Sequence, residues 1–293
     1  MLSILIPTYN YNVFSLVNAI RNQCIKENID FEILIFDDAS EYFQLENNKI
    51  NFLEGCTYTI LPKNIGRSKI RNLLAKAAQY DWFLFLDADV FPVNDQFIFN
   101  YLKHTTISNP LVYGGIVYET KKPEKELLLR WKYGKSREAL SVEKRKRNIY
   151  LSFLTLNFLC HRSVFDKLIF NEDIPNLRHE DTLFSYQLKQ KNVPILHFEN
   201  PVIHLGLDTF KKAIKKEHES LFALKNLVDA NLIDANYVKM ASYFYLLKKW
   251  NMISLLHFSF NITKPLLLKN LSGNHPSLIV FDMYRLGYLS TIK

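Results

Sequence analysis

The first half of this chain is constrained most by an alternation. Short apolar runs rich in β-branched and aromatic residues lie at Leu2–Ile6, Phe31–Phe36, Tyr58–Leu61, Trp82–Leu86 and Leu111–Val117. Among them sit segments, near Val13–Gln23 and Gly66–Gln79, whose apolar residues recur at three- and four-residue steps. Runs of the first kind read as buried strands and segments of the second kind as amphipathic helices. Together they predict an α/β fold, a mostly parallel sheet flanked by helices. Ligands of such sheets bind in the crevice at the carboxyl ends of the strands. Four of those ends are unusually polar: Pro7, Thr8, Tyr9 and Asn10; Asp37 and Asp38; Asn64 to Arg67; and Asp87, Ala88 and Asp89.

Beyond Tyr118 a Lys- and Arg-rich stretch, about 119–149, is too long and too charged for a tight connection and reads as a mobile loop with some helix. The core resumes at Tyr150. After Asp208 the pattern changes to long amphipathic segments, Thr209–Asn226 and Tyr237–His257. The expected organisation is therefore a sheet domain over 1–207 and a helical extension over 208–293 packed on it. With 48% hydrophobic and 23% charged residues, neither part has the composition of a disordered chain. Cys24, Cys56 and Cys160 show no metal-binding or disulfide spacing and read as buried thiols of a reducing compartment. The apolar amino terminus reads as a strand rather than a leader, and no run is long enough to span a membrane. A soluble, cytoplasmic protein is the expectation.

A net charge of +8 suits an acidic partner, such as a nucleotide diphosphate, an anionic membrane surface or nucleic acid. Aspartates at the strand ends would repel a polyanion from the crevice, and no recognised nucleic-acid module is present, so a nucleic-acid partner is not expected. Asp87 and Asp89 flank a small residue at the end of WFLFL, and two carboxylates leaving a rigid strand suit a hard cation, Mg²⁺ or Mn²⁺. Such ions commonly take one or two protein carboxylates and complete their shell with diphosphate oxygens and water.

The segments SILIPTYN, FDDAS, NIGRSKIRN, LDAD and RHEDT follow one another in an order and spacing that resembles family 2 glycosyltransferases of the GT-A fold. The resemblance covers about the first two hundred residues and rests on five ordered motifs. It implies a Rossmann-like nucleotide-sugar-binding domain and a metal-dependent, inverting transfer of a sugar from a nucleotide diphosphate, with UDP favoured, to a saccharide or lipid-linked acceptor. Surface polysaccharide or glycoconjugate synthesis is the implied setting. On this likeness Pro7, Thr8, Tyr9, Asn10, Asp37 and Asp38 surround base and ribose. Asn64, Arg67 and Arg71 reach the nucleotide, with both arginines on one helical face. Asp87, Ala88 and Asp89 meet the diphosphate through the metal.

The same likeness makes Asp181 the base that deprotonates the acceptor, with Glu180 orienting it and Asn157 lining the acceptor side. A helix start would keep Asp181 ionised, so oriented hydrogen bonding rather than unusual basicity is expected to activate it. His204 alone reads as a structural strand-end histidine, but some relatives place a metal-binding histidine just downstream of the base helix, so it is the candidate third ligand beside Asp87 and Asp89. Glu172 and Asp173 resemble a family segment with its two acids swapped and are left out of the site. Arg130 and Trp131 are similar to the Arg-Trp of processive synthases. However, Leu127 stands where those carry glutamine, and the pair precedes Asp181, so single-sugar transfer is expected with Trp131 stacking on a sugar. The alternatives are a sugar-1-phosphate nucleotidyltransferase, whose glycine-rich amino-terminal loop is missing, and a noncatalytic binder of nucleic acid or anionic surfaces. Lys211, Lys212, Lys215 and Lys216 could also touch an anionic leaflet.

Overall fold

A computed structural model describes residues 1–108, 110–174 and 178–292. Its ten strands, among the described residues, are β1 (Leu2–Thr8), β2 (Phe31–Asp37), β3 (Cys56–Ile60), β4 (Trp82–Leu86), β5 (Val90–Pro92), β6 (Leu111–Tyr113), β7 (Ile116–Val117), β8 (Asn157–His161), β9 (Leu196–His197) and β10 (Val202–His204). Seven form one sheet in the order β3-β2-β1-β4-β8-β6-β9, and the remaining three form a second sheet in the order β5-β10-β7. The first four of the larger sheet are parallel, whereas β8 runs antiparallel to both β4 and β6. The mixed sheet with flanking helices matches the α/β reading of the sequence.

Chain order explains where the crevice opens. From β1 the chain steps outward through β2 to β3, then crosses back so that β4 lies on the other side of β1. Connections on opposite sides of β1 leave a gap at the carboxyl ends of β1 and β4. β1 pairs with β4 only through Ser3, Ile4 and Leu5, whereas it follows β2 to Thr8. Pro7, which has no N–H to give, falls beyond the last β4 pair.

The chain divides into two compact units. One holds Met1–Val117, Leu140–Asn176 and Glu180–Gly206; the other holds Tyr118–Ala139, Leu177–His179 and Leu207–Lys293. The basic stretch is therefore split between them. It contains the helices Leu128–Tyr133 and Val142–Lys146 and a π-helical turn at Gly134–Glu138, in keeping with the helix expected within it. Apolar residues explain the first part: Leu128 and Leu129 are buried, and Leu129 joins a core with Ile214, Phe260, Leu271, Phe281 and Tyr284 in the second unit. In the sheet unit Arg145 is 2% exposed and donates to the carbonyls of Tyr113 and Phe198 and to Glu199. One arginine of the run is thus a core residue.

Leu111–Val117 reads as one strand but forms two, in different sheets. A Cβ at Gly114 would collide with the Asn200 carbonyl and the Tyr101 hydroxyl, and Gly115 has φ +91°, so the chain turns there between sheets. The space Gly114 leaves is filled by a polar network. Asn157 donates to the carbonyls of Gly115 (2.8 Å) and Asn200 (3.1 Å) and accepts from Tyr101 (2.7 Å). It is fully buried. The Asn157 amide thus holds the strand switch.

The remaining core of the sheet unit is aromatic. Phe85 stacks on Phe158 and Phe165, and Phe170 stacks on Phe184 at 4.2 Å. Phe184, Leu183 and Leu188 bury one face of the helix Glu180–Gln190 and so fix its start. Cys24, Cys56 and Cys160 are buried and free.

Replacing Asn157 by Ala leaves buried donors and acceptors without partners, and should lower stability by about 3 kcal/mol, read as a lower urea midpoint at unchanged slope. An unshifted midpoint would show that this amide does not organise the core.

Candidate functional site

One side of the crevice consists of three loops tied together by Asp37, Asp38 and Asn10. Asp37, fully buried at the end of β2, accepts from the Ser40 N–H at 2.7 Å and from the Tyr58 hydroxyl. Burial, then Asp37 itself, raises the Tyr58 phenol well above its usual range. Asp38 accepts from the N–H groups of Ile65 (2.6 Å) and Gly66 (3.0 Å), which ties the loop after β3 to the end of β2. Asn10, at φ 52°, receives N–H groups from Glu41 and Tyr42, and its own N–H donates to Ser40. Thr8 is buried and donates to the Tyr11 carbonyl, while Tyr9 and Asn64 are exposed. Both aspartates placed at base and ribose by the sequence thus hold the loops together, with Tyr58 and Ser40 as partners that sequence reasoning missed. The strand around Tyr58 carried no signal for it, and Ser40 closes the FDDAS segment without having been singled out.

Arg71 links the acidic segments. On the helix Arg67–Ala77, Arg71 shares a stripe with the buried Ile70 and Leu74, so the spacing that buries those side chains also carries the guanidinium inward. It is 4% exposed, sits 5.4 Å from the centre of the Phe170 ring, and donates to Asp87 at 2.8 Å and Glu180 at 3.2 Å. Arg67, half-exposed, lies 3.9 Å from the same Glu180 oxygen. The pair does share a helical face, but Arg71 faces protein carboxylates.

This arrangement divides the charge unevenly. Burial works to raise the Glu180 carboxyl, but Arg67, Arg71 and a backbone N–H outweigh it and hold it below its usual value. Among the described residues Asp181 forms no ion pair. Burial, then the neighbouring Glu180 charge, pushes it up to about 6, against the N–H of Thr182 that donates to it at 2.7 Å. The basicity that the helix start argued against therefore comes from tertiary surroundings. Asp87 is also raised, by burial first and by Asp89, in spite of Arg71.

Asp89 turns the other way. Its carboxylate lies 3.4 Å from Nε2 of His204, because the pairing of β10 with β5 sets His204 opposite Val90 and the Leu205 N–H on the Asp89 carbonyl. A Cβ on Gly206 would strike the Asp89 carboxylate, so this glycine clears its position. Tyr11 also feels Asp89: burial first, then that charge, raises its phenol. Gly206 and Tyr11 are additions to the site read from the sequence, and only the position of Gly206 two residues after His204 could have drawn notice.

A carboxylate and an imidazole side by side suit Mn²⁺ or Mg²⁺ as part of a shell. Among the described residues no cluster of three or more metal-binding side chains exists, so an ion here would draw most ligands from its substrate. Of the three expected metal ligands, Asp89 and His204 are together, and Asp87 is shared with Arg71. Trp131 belongs to the second unit, where it donates to the Glu119 carbonyl and lies under Lys135.

The mostly parallel sheet flanked by helices, with the carboxyl-terminal helices, matches the fold of GT-A glycosyltransferases. Residues 3–172, more than half of the chain, match the family model described as glycosyl transferase family 2, and the chain belongs to that family. The mannosyltransferase PcManGT from Pyrobaculum calidifontis, solved with GDP-Man and Mn²⁺, is similar at a TM-score of 0.59 and 12% identity, over 99% of this chain and 86% of that one. S. aureus TarS 1-349 with UDP-GlcNAc gives 0.53 and 19%, over 92% and 75%. Glucosyl-3-phosphoglycerate synthase from Mycobacterium tuberculosis, with Mn²⁺, UDP and glucosyl-3-phosphoglycerate, gives 0.51 and 12%, over 80% and 81%. At these identities the likeness is one of fold. No curated protein sequence matches the chain.

Replacing Arg71 by Met strands two carboxylates and should destabilise the protein by about 3–5 kcal/mol, read as a fall in Tm. Adding Glu180→Gln should recover part of the loss. Equal melting of Arg71→Met and the parent would remove Arg71 from this role.

Proposed function

We propose that the protein moves a single sugar from a nucleotide-diphosphate sugar, UDP-linked by preference, to a hydroxyl of a saccharide or lipid-linked acceptor, with inversion at the anomeric carbon. Support comes first from Asp181, whose carboxyl sits near 6 beside a Glu180 held ionised by arginines. A general base is most effective when its pKa lies close to the working pH. The acceptor O–H would lose its proton to Asp181 as its oxygen bonds to the anomeric carbon, while the bond from that carbon to the diphosphate breaks on the opposite face. Nucleoside diphosphate leaves with the electron pair. Arg71 contributes by holding Asp87 and Glu180 in place, and Glu180 by orienting the acceptor.

Asp89 and His204 would hold Mn²⁺ or Mg²⁺, with Asp87 available to its bound water. Such an ion supplies positive charge against the departing diphosphate. Neighbours of this fold solved with Mn²⁺ support the use of a divalent metal. The loops tied by Asp37 and Asp38 would receive the base and ribose, their carboxylates having lone pairs beyond those already accepting N–H groups. Trp131 would stack on a sugar. Cytoplasmic synthesis of a surface polysaccharide or glycoconjugate is the corresponding setting.

Asp181→Asn should cut kcat by about 10²–10⁴ with little change in Tm, measured as nucleoside diphosphate release with a responsive acceptor. Since the base acts deprotonated, kcat/KM should be level above neutrality and fall about tenfold per pH unit once pH drops below about 6. A profile without that acid limb, or full activity in Asp181→Asn, contradicts the assignment. Gly206→Ala should displace the Asp89 carboxylate and raise the Mn²⁺ concentration needed for half-maximal donor hydrolysis by about tenfold. An unchanged Mn²⁺ requirement would exclude Asp89 from metal binding.

A further inference from the structure

The carboxyl-terminal helices carry more exposed apolar surface than their core requires. In the helix Ile253–Leu271, Phe260 and Leu271 are buried in the second unit's core, and Gly287 lies so close to Phe260 that a Cβ there would collide with it. The inward face is therefore satisfied. A second apolar stripe remains outside: Leu255, Phe258, Ile262 and Leu266, spaced by three, four and four residues and each between 58% and 69% exposed. That spacing keeps them on one line along the helix. The preceding helix, Lys239–Lys249, carries its own exposed line of Tyr243 and Leu246 running to Trp250 just past its end.

Charge selects the occupant. From Ala235 to Phe281 the chain has five lysines, Lys239, Lys248, Lys249, Lys264 and Lys269, and no aspartate or glutamate. None of the five forms an ion pair among the described residues. The run at Lys211–Lys216, which the sequence singled out, differs, because Lys212 and Lys216 lie 3.3 and 2.6 Å from Asp208. Apolar side chains in a helical line, aromatic residues with polar edges and unneutralised ammonium groups together match the acyl boundary and phosphate headgroups of an anionic bilayer. Among the described residues no helix is long and apolar enough to cross a membrane.

We propose that the stripe Leu255, Phe258, Ile262 and Leu266 docks this protein on an anionic lipid bilayer, the helix lying in the plane of the interface. Exposed lysines near such a surface each add attraction that falls away with salt. This inference rests on surface alone and holds whatever the sugar donor.

The test is flotation of the full chain, without nucleotide, on vesicles of phosphatidylcholine alone or with about 30% phosphatidylglycerol. The parent should float with the anionic vesicles and lose at least about tenfold of its partitioning in high salt or on phosphatidylcholine alone. Phe258→Glu with Ile262→Glu should lower partitioning on anionic vesicles at least about tenfold while melting as the parent does. Lys249→Glu with Lys269→Glu should do so on anionic vesicles only. A parent that stays with the soluble fraction overturns the proposal, as does a Phe258→Glu/Ile262→Glu variant that floats equally well. A parent that sediments as a dimer and never floats, with that variant monomeric, would assign the stripe to a second copy of the chain instead.

Discussion

The acidic ends of the sheet unit are held together by the buried cation of Arg71. Arg71 brings the end of β4 and the start of the helix Glu180–Gln190 to the same guanidinium, although 109 residues separate Arg71 from Glu180. Such a buried charge is tolerable because carboxylates and an aromatic ring replace the water it lost. Removing water from an ion pair costs about as much as the pairing returns, so the geometry it enforces matters more than net stability. Here that geometry is electrostatic as well as steric. Since Glu180 takes both arginines, Asp181 is left with burial and a like-charged neighbour, and two adjacent carboxyls of one helical turn are pushed apart in acidity. Pairs separated in this way are the usual means by which one site holds both an ionised orienting group and a base.

The acids after β4 are divided just as clearly. Asp87 belongs to the Arg71 network of the large sheet, and Asp89, two residues later, belongs to His204 and Gly206 of the small sheet. One short turn therefore joins the two sheets through its side chains. The small sheet exists because Gly114 and Gly115 let the chain leave β6 and re-pair as β7, and the buried amide of Asn157 fills the space that results. The strand switch and His204 are joined through β10, which pairs with β7 and β5.

Much of this was legible in the sequence. Apolar runs ending in polar residues located β1, β2 and β4 and their crevice, because burial on both faces leaves an unambiguous composition. Ordered motifs led to the GT-A fold and to family 2. What escaped were effects set by partners remote in sequence. Nothing local distinguishes Arg71 from a solvated arginine except its place beside Ile70 and Leu74. Asn157 resembled a site residue in its motif but is spoken for by Tyr101, Gly115 and Asn200. Arg145 was hidden in a run of surface-type charges. At Asp181 the helix dipole is visible from sequence position but is worth only about 0.3–1 kcal/mol at a helix start, and desolvation beside Glu180 outweighs it.

On the proposed reading, the two halves of the crevice also differ in how complete they are without substrate. Asp37, Asp38 and Asn10 already accept backbone N–H groups from neighbouring loops, so the nucleoside side is built by the fold itself. Preorganised donors and acceptors of this kind give selectivity with little further ordering. The proposed cation side brings together, among the described residues, Asp89 and His204, too few to saturate a six-coordinate ion. A diphosphate would have to finish that shell. Metal and donor should then each raise the other's affinity, by the same factor in both directions, because the coupling is a property of the ternary complex and not of either order of assembly.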